Sequence, residues 1–261
     1  MSSVRFRLVR GADISAWPAA AIAVSSNLTL APNNNPHYWR FAGREGTNGA
    51  VHAAAGPELL AAVRQLPVLQ DDAETAAAVG IAARSNIRCN VSRAVSTPAF
   101  GSLQCDHVIH TVCPDGMYGF ERDAEDLLRE TYRAVLAECS LLQCTSLAMP
   151  AIGCGVQGWR PAFTARIALE AVEAHNASPW GGVPSRVDMV FNSESAWRSF
   201  RLIAEKQLGP PLEKTAAAAA AEAGAEGHTD ETAQWELRLG SAGSGSAASS
   251  STRNSSSTSR L

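Results

Sequence analysis

The run Ala19 to Val24 is short, continuous and apolar, and that one feature narrows the fold more than any other. A strand with water on one face alternates apolar and polar residues. A run without alternation suits a strand covered on both faces, which is the condition of a central strand in a parallel sheet. The rest of the chain supplies the partners such a sheet needs. Val4 to Val9 alternates apolar and basic residues, as a half-exposed strand does. Arg93 to Phe100, Asp106 to Cys113, Ser146 to Met149 and Arg186 to Phe191 are further strand candidates. Between them, Asp123 to Cys139 repeats Leu127, Leu128, Tyr132, Val135 and Leu136 at helical spacing, and Pro161 to His175 does so with Phe163, Ile167, Ala171 and Val172. Ser193 to Leu208 reads as a last helix behind an Asn192 or Ser193 cap. Ala50 to Leu66 divides at Gly56-Pro57 into two helical pieces, with the proline in the first turn of the second. Alternation of this kind predicts an α/β fold with helices on both faces of a mixed, mostly parallel sheet. Leu66 to Val91 fits no element and reads as an insertion.

Composition changes sharply after the last helix. Gly209-Pro-Pro211 stops it, an alanine run follows from Ala216 to Ala221, and Ser241 to Ser259 is rich in serine, glycine and threonine. Such a segment buries too little apolar surface to offset its ordering entropy. The expected organisation is therefore one α/β domain over 1–208 and a disordered, low-complexity tail over 209–261. Trp235, Leu237 and Leu239 are the tail's only candidate docking residues.

The 261 residues carry a net charge of −3, and no clustered basic surface is evident, which argues against nucleic acid as the main partner. No apolar run approaches the roughly 18 residues needed to cross a membrane, and the start of the chain has no long apolar signal core. These features predict an intracellular protein, cytoplasmic or nuclear. Six cysteines (Cys89, Cys105, Cys113, Cys139, Cys144 and Cys154) lie in apolar segments without framework spacing and read as reduced, mostly buried thiols. Cys105, His107, His110 and Cys113 suggest a zinc site at first sight. On a strand, however, His110 faces away from the other three, so four ligands cannot converge. No metal and no cofactor is implied.

The most informative segment is Met149-Pro-Ala-Ile-Gly-Cys-Gly-Val-Gln-Gly-Trp-Arg-Pro161. A strand ends, glycines stand at 153, 155 and 158, and a proline opens a helix. Glycines let backbone N–H groups turn toward an anion, and the helix adds its positive N-terminal end. A tight strand-to-helix turn accounts for the same residues, so the pattern alone is weak. It is also a poor dinucleotide fingerprint. That motif belongs in the first βα turn with an acidic residue about 20 positions on, whereas here the next acidic strand residue is Asp188. A nucleotide-dependent oxidoreductase is thereby disfavoured. A second glycine-bearing stretch runs from Ala42 to Pro57 and contains a helix start near Asn48. Before it, Val24-Ser-Ser-Asn27 ends the buried strand, where polar groups face ligands in open α/β sheets. His52, on the Ala-rich helix, reads as a hydrogen-bonded structural histidine.

Together these blocks resemble the macrodomain family. They are Asp13-Ile14, Ala21 to Asn27, Gly46 to Pro57, Val108 to Pro114 and Pro150 to Pro161, all in the family's order across about residues 4 to 205. The resemblance implies a three-layer α/β/α fold that binds ADP-ribose, free or attached to protein. Some relatives hydrolyse ADP-ribosyl groups from proteins or deacetylate O-acetyl-ADP-ribose. It also implies residue roles. Asp13 would accept the adenine amino hydrogen, the Ile14 N–H would serve a ring nitrogen, and Phe191 would stack on the base. Gly153, Cys154, Gly155, Val156, Gln157, Gly158 and Trp159 would cradle the diphosphate, with Gly46, Thr47, Asn48, Gly49 and Ala50 closing the other side. Asn27 would bond the terminal ribose, and Asn27 with Asn48 would form any catalytic corner. Three departures stand out. Val24 replaces the first asparagine of the family's strand motif, the glycine run reads Gly43-Arg-Glu-Gly46, and the connection Thr29 to Ala42 is long. In the hydrolase branch an aspartate occupies the place of Asn48, and an amide cannot act as a general base. The expected protein is a monomeric ADP-ribose binder, with hydrolase or deacetylase activity as the alternative.

Overall fold

A computed structural model describes residues 4–32, 46–69, 86–116, 122–179 and 182–208, and the backbone of 234–239. The strands are β1 (Val4–Arg10), β2 (Ala21–Ser26), β3 (Ala94–Pro98), β4 (His107–Val112), β5 (Ser146–Met149), β6 (Arg186–Phe191) and β7 (Gln234–Leu239). They form one sheet in the order β3-β4-β2-β5-β6-β1-β7. The five inner strands run parallel, while β3 and β7 pair antiparallel at the two edges. The helices are α1 (Gly46–Ala55), α2 (Pro57–Gln65), α3 (Arg122–Leu141), α4 (Pro161–Ala177) and α5 (Glu194–Leu208), with a 3-10 turn at Ile14–Ala16.

The absence of alternation in β2 has the meaning expected of it: Ala21 to Val24 are buried on both faces. Ala21 and Ala23 join the larger cluster with Phe6, Leu8, Leu147, Met149, Val187 and Met189, under α3, α4 and α5. Ile22 and Val24 join a second cluster with Val9, Ala148 and Val190, under α1 and the 3-10 turn. Period-2 side-chain alternation thus separates the two faces, and helices cover both. On α3, Leu128, Tyr132, Val135, Leu136 and Cys139 carry the buried stripe, while Leu127 sits at its exposed margin. Glu125, Arg129, Arg166 and Glu170 form a bridging ion-pair network between α3 and α4. The split between α1 and α2 falls at Gly56, whose φ of +76° turns the chain so that Pro57 can open α2.

Two sequence-based boundaries change. Gln234–Leu239 lies within the segment assigned to the tail on composition, yet it is a strand, with Val4↔Leu239 through Val9↔Gln234 in register. Its backbone groups find partners on β1, an energy that composition does not report. Of the unassigned stretch Leu66 to Val91, residues 86–91 pack back on the sheet, the amides of Arg88 and Cys89 donating to Leu28 O; residues 70–85 lie outside the described residues. Gly43 to Glu45, Asn33 to Asn35 and Tyr38-Trp39 also lie outside them. All six cysteines are free thiols. Cys113 packs in the larger cluster and Cys105 against the second, on opposite faces of the sheet. Among the described residues, no helix is long and apolar enough to cross a membrane.

Candidate functional site

Because β1, β2, β4, β5 and β6 are parallel, their C-terminal ends share one rim, the usual position of ligands in open α/β sheets. The segments singled out in the sequence follow these ends: the 13–17 turn after β1, Asn27 after β2, the 150–160 loop after β5 and Phe191 at the end of β6.

The loop from Pro150 to Arg160 is built from below. Trp159 is buried and its Nε1 donates to Pro114 O at 2.8 Å, while its ring stacks on Phe163. Tyr132 on α3 reaches up to donate to Ile152 O at 3.2 Å. Gly153 lies over this plug with φ +94°, and a Cβ there would meet Trp159 Cδ1 at 2.8 Å and Cys113 Sγ at 3.1 Å. Only glycine fits, for both conformation and space. The contrast is Gly155, which is exposed and whose Cβ would meet nothing within 4 Å. Ile152, Cys154, Gly158 and Trp159 use their N–H groups inside the loop. Among the described residues, the N–H groups of Gly155, Val156 and Gln157 have no acceptor. A row of unpaired backbone donors on open ground, followed by the N-terminus of α4, suits an anion. Gly153 and Trp159 therefore support the cradle from inside, and Gly155 to Gln157 form its open surface. Burial pushes the Cys154 thiol up to about 11, which disfavours the thiolate at neutral pH.

Asn27 and Asn48 come together although β2 and α1 are separate elements. Asn27 shapes a turn: its Oδ1 accepts from Thr29 N at 3.0 Å and Thr29 Oγ1 at 2.7 Å, and its Nδ2 donates to Ala31 O at 2.8 Å. Asn48 Nδ2 donates to the same oxygen at 2.9 Å. One turn further along α1, His52 Nε2 lies 3.2 Å from Leu30 O. Each amide nitrogen retains a second hydrogen, and Asn48 Oδ1 is buried with no partner among the described residues. This corner can therefore donate and accept toward a diol, but neither amide can take a proton from water. Burial lowers the His52 pKa, with the Leu30 carbonyl opposing, so the ring is neutral at pH 7 and Nε2 carries the proton it donates. Gly46 to Ala50 form the first turn of α1, with Gly46 exposed and Thr47 and Ala50 half-buried beside the buried Asn48 and Gly49.

At the other end, Asp13 is exposed and caps the 3-10 turn, its Oδ1 accepting from Ser15 N at 2.9 Å. The Ile14 side chain is buried in the second cluster, and its N–H has no acceptor among the described residues. Phe191 lies deeper than Asp13: it is 3% exposed, and its ring makes a T-shaped contact with Phe200 at 4.9 Å in the larger cluster. Sequence reasoning also missed Tyr132, Trp17 and Asp188 as supports of these segments. Tyr132 was visible only as one more apolar position of a helix stripe.

Residues 35–168 match the family model described as Macro domain. A Salmonella gallinarum protein named O-acetyl-ADP-ribose deacetylase is 33% identical over 168 residues, spanning 64% of this chain and 77% of the relative. A macro domain-containing protein of Ralstonia nicotianae is 33% identical over 175 residues, 67% of this chain and 82% of its own. Among solved structures, an Oceanobacillus iheyensis macrodomain mutant with ADPR superposes with a TM-score of 0.56 at 24% identity, covering 76% of this chain and 90% of that one. A family match across half the chain, relatives matched over most of their length, and a parallel sheet with a glycine loop and paired amides on its C-terminal rim agree: this chain belongs to the macro domain family.

Proposed function

We propose that the protein binds ADP-ribose, or an ADP-ribosyl group on another protein, along the C-terminal rim of its sheet. The observation that carries this reading is the loop of Gly155 to Gln157, whose backbone N–H groups have no acceptor among the described residues and which is open at Gly155. It stands between an exposed carboxylate at Asp13 and a pair of amides at Asn27 and Asn48. A diphosphate would lie on the loop, its adenosine toward Asp13 and its terminal ribose toward the amides. Calorimetric titration with ADP-ribose, NAD, ATP and AMP tests it. ADP-ribose should bind tightest, since it alone fills the loop and both ends without a nicotinamide or a third phosphate. Equal or weaker binding of ADP-ribose than of ATP would overturn the reading.

Deacetylation of O-acetyl-ADP-ribose is the second reading, favoured by the name of the Salmonella relative. With an amide at position 48, the substrate's own phosphate would have to help orient the attacking water. Turnover should be slow, and release of acetate by the wild-type chain measures it.

A further inference from the structure

Asp188 stands within β6, between Val187 and Met189, and its side chain is fully buried. A carboxylate in that position is tolerated only with several strong partners. Arg7, its register neighbour on β1, holds it with two hydrogen bonds, Nε to Oδ1 and Nη2 to Oδ2, both at 2.6 Å. Arg186 Nε lies 3.2 Å from Oδ2. The remaining partner comes from outside the sheet: Trp17 Nε1 donates to Oδ2 at 2.9 Å. Arg186 also reaches the same segment, its Nη2 donating to Pro18 O at 3.2 Å.

Both ties therefore end on residues 17 and 18, which follow directly on the 3-10 turn. Inside the turn, Ala16 N donates to Asp13 O and Trp17 N to Ile14 O, at 3.1 and 3.2 Å. Trp17 is thus bonded at its backbone to the turn and at its indole to the sheet. Without the indole bond, the turn that carries Asp13 and the Ile14 N–H would lose the hydrogen bond that ties Trp17 itself to the sheet, keeping its own short hydrogen bonds, the Ile14 side chain and the flanking bonds at Gly11 and Pro18.

We propose that Asp188, acting through Trp17, is the positioning residue that makes the Asp13 end of the pocket selective for adenine. This rests on the reading of the rim as an ADP-ribose site. The chemical argument concerns one atom of the base. Adenine presents an amino donor where hypoxanthine presents a carbonyl acceptor. A carboxylate held rigidly toward that atom attracts the first and repels the second, whereas a carboxylate on a loose turn swings aside and distinguishes them poorly. Arg7, Arg186 and Asp188 supply the rigid base, and Trp17 transmits it.

The test compares ADP-ribose with its hypoxanthine analogue by calorimetry for wild type, Trp17→Phe and Asp188→Asn, together with amide hydrogen exchange at residues 15 to 17. Phenylalanine keeps an apolar ring and removes only the donor. Wild type should prefer ADP-ribose by about tenfold or more. In either variant that folds, the preference should fall about three- to tenfold, and the turn amides should exchange faster without ligand. A merely structural role would weaken both ligands alike and leave their ratio unchanged, and that result overturns the proposal. Wild type that binds both ligands equally overturns the Asp13 assignment and this inference with it. Wild type that binds neither overturns the ADP-ribose reading itself.

Discussion

Asn27 and Asn48 donate to a single oxygen, Ala31 O, at 2.8 and 2.9 Å. That shared acceptor ties the end of β2 to the first turn of α1 and fixes the spacing of the two amides. It also has a consequence for the position where the hydrolase branch carries a carboxylate. An aspartate at 48 would meet the Ala31 carbonyl with a lone pair instead of a hydrogen.

Asn48→Asp should therefore have two opposed effects. Release of ADP-ribose from a modified acceptor should rise, because a positioned base contributes on the order of 10²–10⁴-fold. Stability should fall by about 1–3 kcal/mol, because a buried carboxylate would face the Ala31 carbonyl, which keeps Asn27 as its remaining donor. Urea unfolding and an acceptor-release assay on the same preparation measure both. Faster release without a loss of stability would mean that the new carboxylate turns away from Ala31 O.

The two glycines of the phosphate loop should respond oppositely to substitution. Gly155→Glu places a charged side chain on open ground, so the protein should fold with an unchanged melting temperature and lose ADP-ribose binding to electrostatic repulsion. Gly153→Ala forces a methyl group against Trp159 at left-handed φ, and should lower stability by about 2 kcal/mol or more. Full affinity in a folded Gly155→Glu protein would remove the loop from the binding site.

Asp13→Ala should weaken ADP-ribose binding by about 1–3 kcal/mol, since an adenine amino group docked at this turn would lose its acceptor. Ribose 5-phosphate, which has no base, should bind as before. Titration of both ligands distinguishes this from a general loss of the turn, which would weaken them equally.

Stability should fall in acid, and His110 should be a leading cause. It is fully buried, with Nε2 3.0 Å from Thr97 Oγ1, and burial lowers its pKa to about 3, with His52 adding repulsion. The unfolded imidazole titrates near 6.5, so between these values the unfolded chain binds the extra proton. The stabilisation is complete above about pH 6.5 and is lost progressively as pH falls toward 3. From about pH 7.5 to about pH 4.5 this group alone should remove about 2–3 kcal/mol. His52, shifted in the same direction, adds to the trend. Urea unfolding of wild type and His110→Gln at the two pH values should show a shallower loss in the variant.

The inner sheet was legible because burial on both faces leaves a direct mark on composition. Ala21 to Val24 and Ser146 to Met149 could be read from type and length alone. The helices were legible where one face is buried, as in α3. The site was legible as segments, because glycines and asparagines serve backbone needs that few other residues meet. Its internal division was not. Nothing in the sequence separates Gly153, closed by Trp159, from Gly155, open to solvent, since that depends on which residue the loop folds over. The packing of Phe191 was hidden for a similar reason. Position at a strand end does not say what the ring packs against, and Phe200, which it meets, comes from the following helix. Asp188 had been weighed only against a motif it fails to fit, because its partners Arg7 and Trp17 are distant in sequence.

The pairing of β7 with β1 places the limit of the foldable unit beyond the change in composition. A chain cut after Leu208 would retain every helix named above, yet leave alternate residues of β1 with unpaired amide and carbonyl groups along one side of the strand. Such an edge is a template for another strand, and the shortened protein should associate with itself in proportion to concentration where one ending after Leu239 does not.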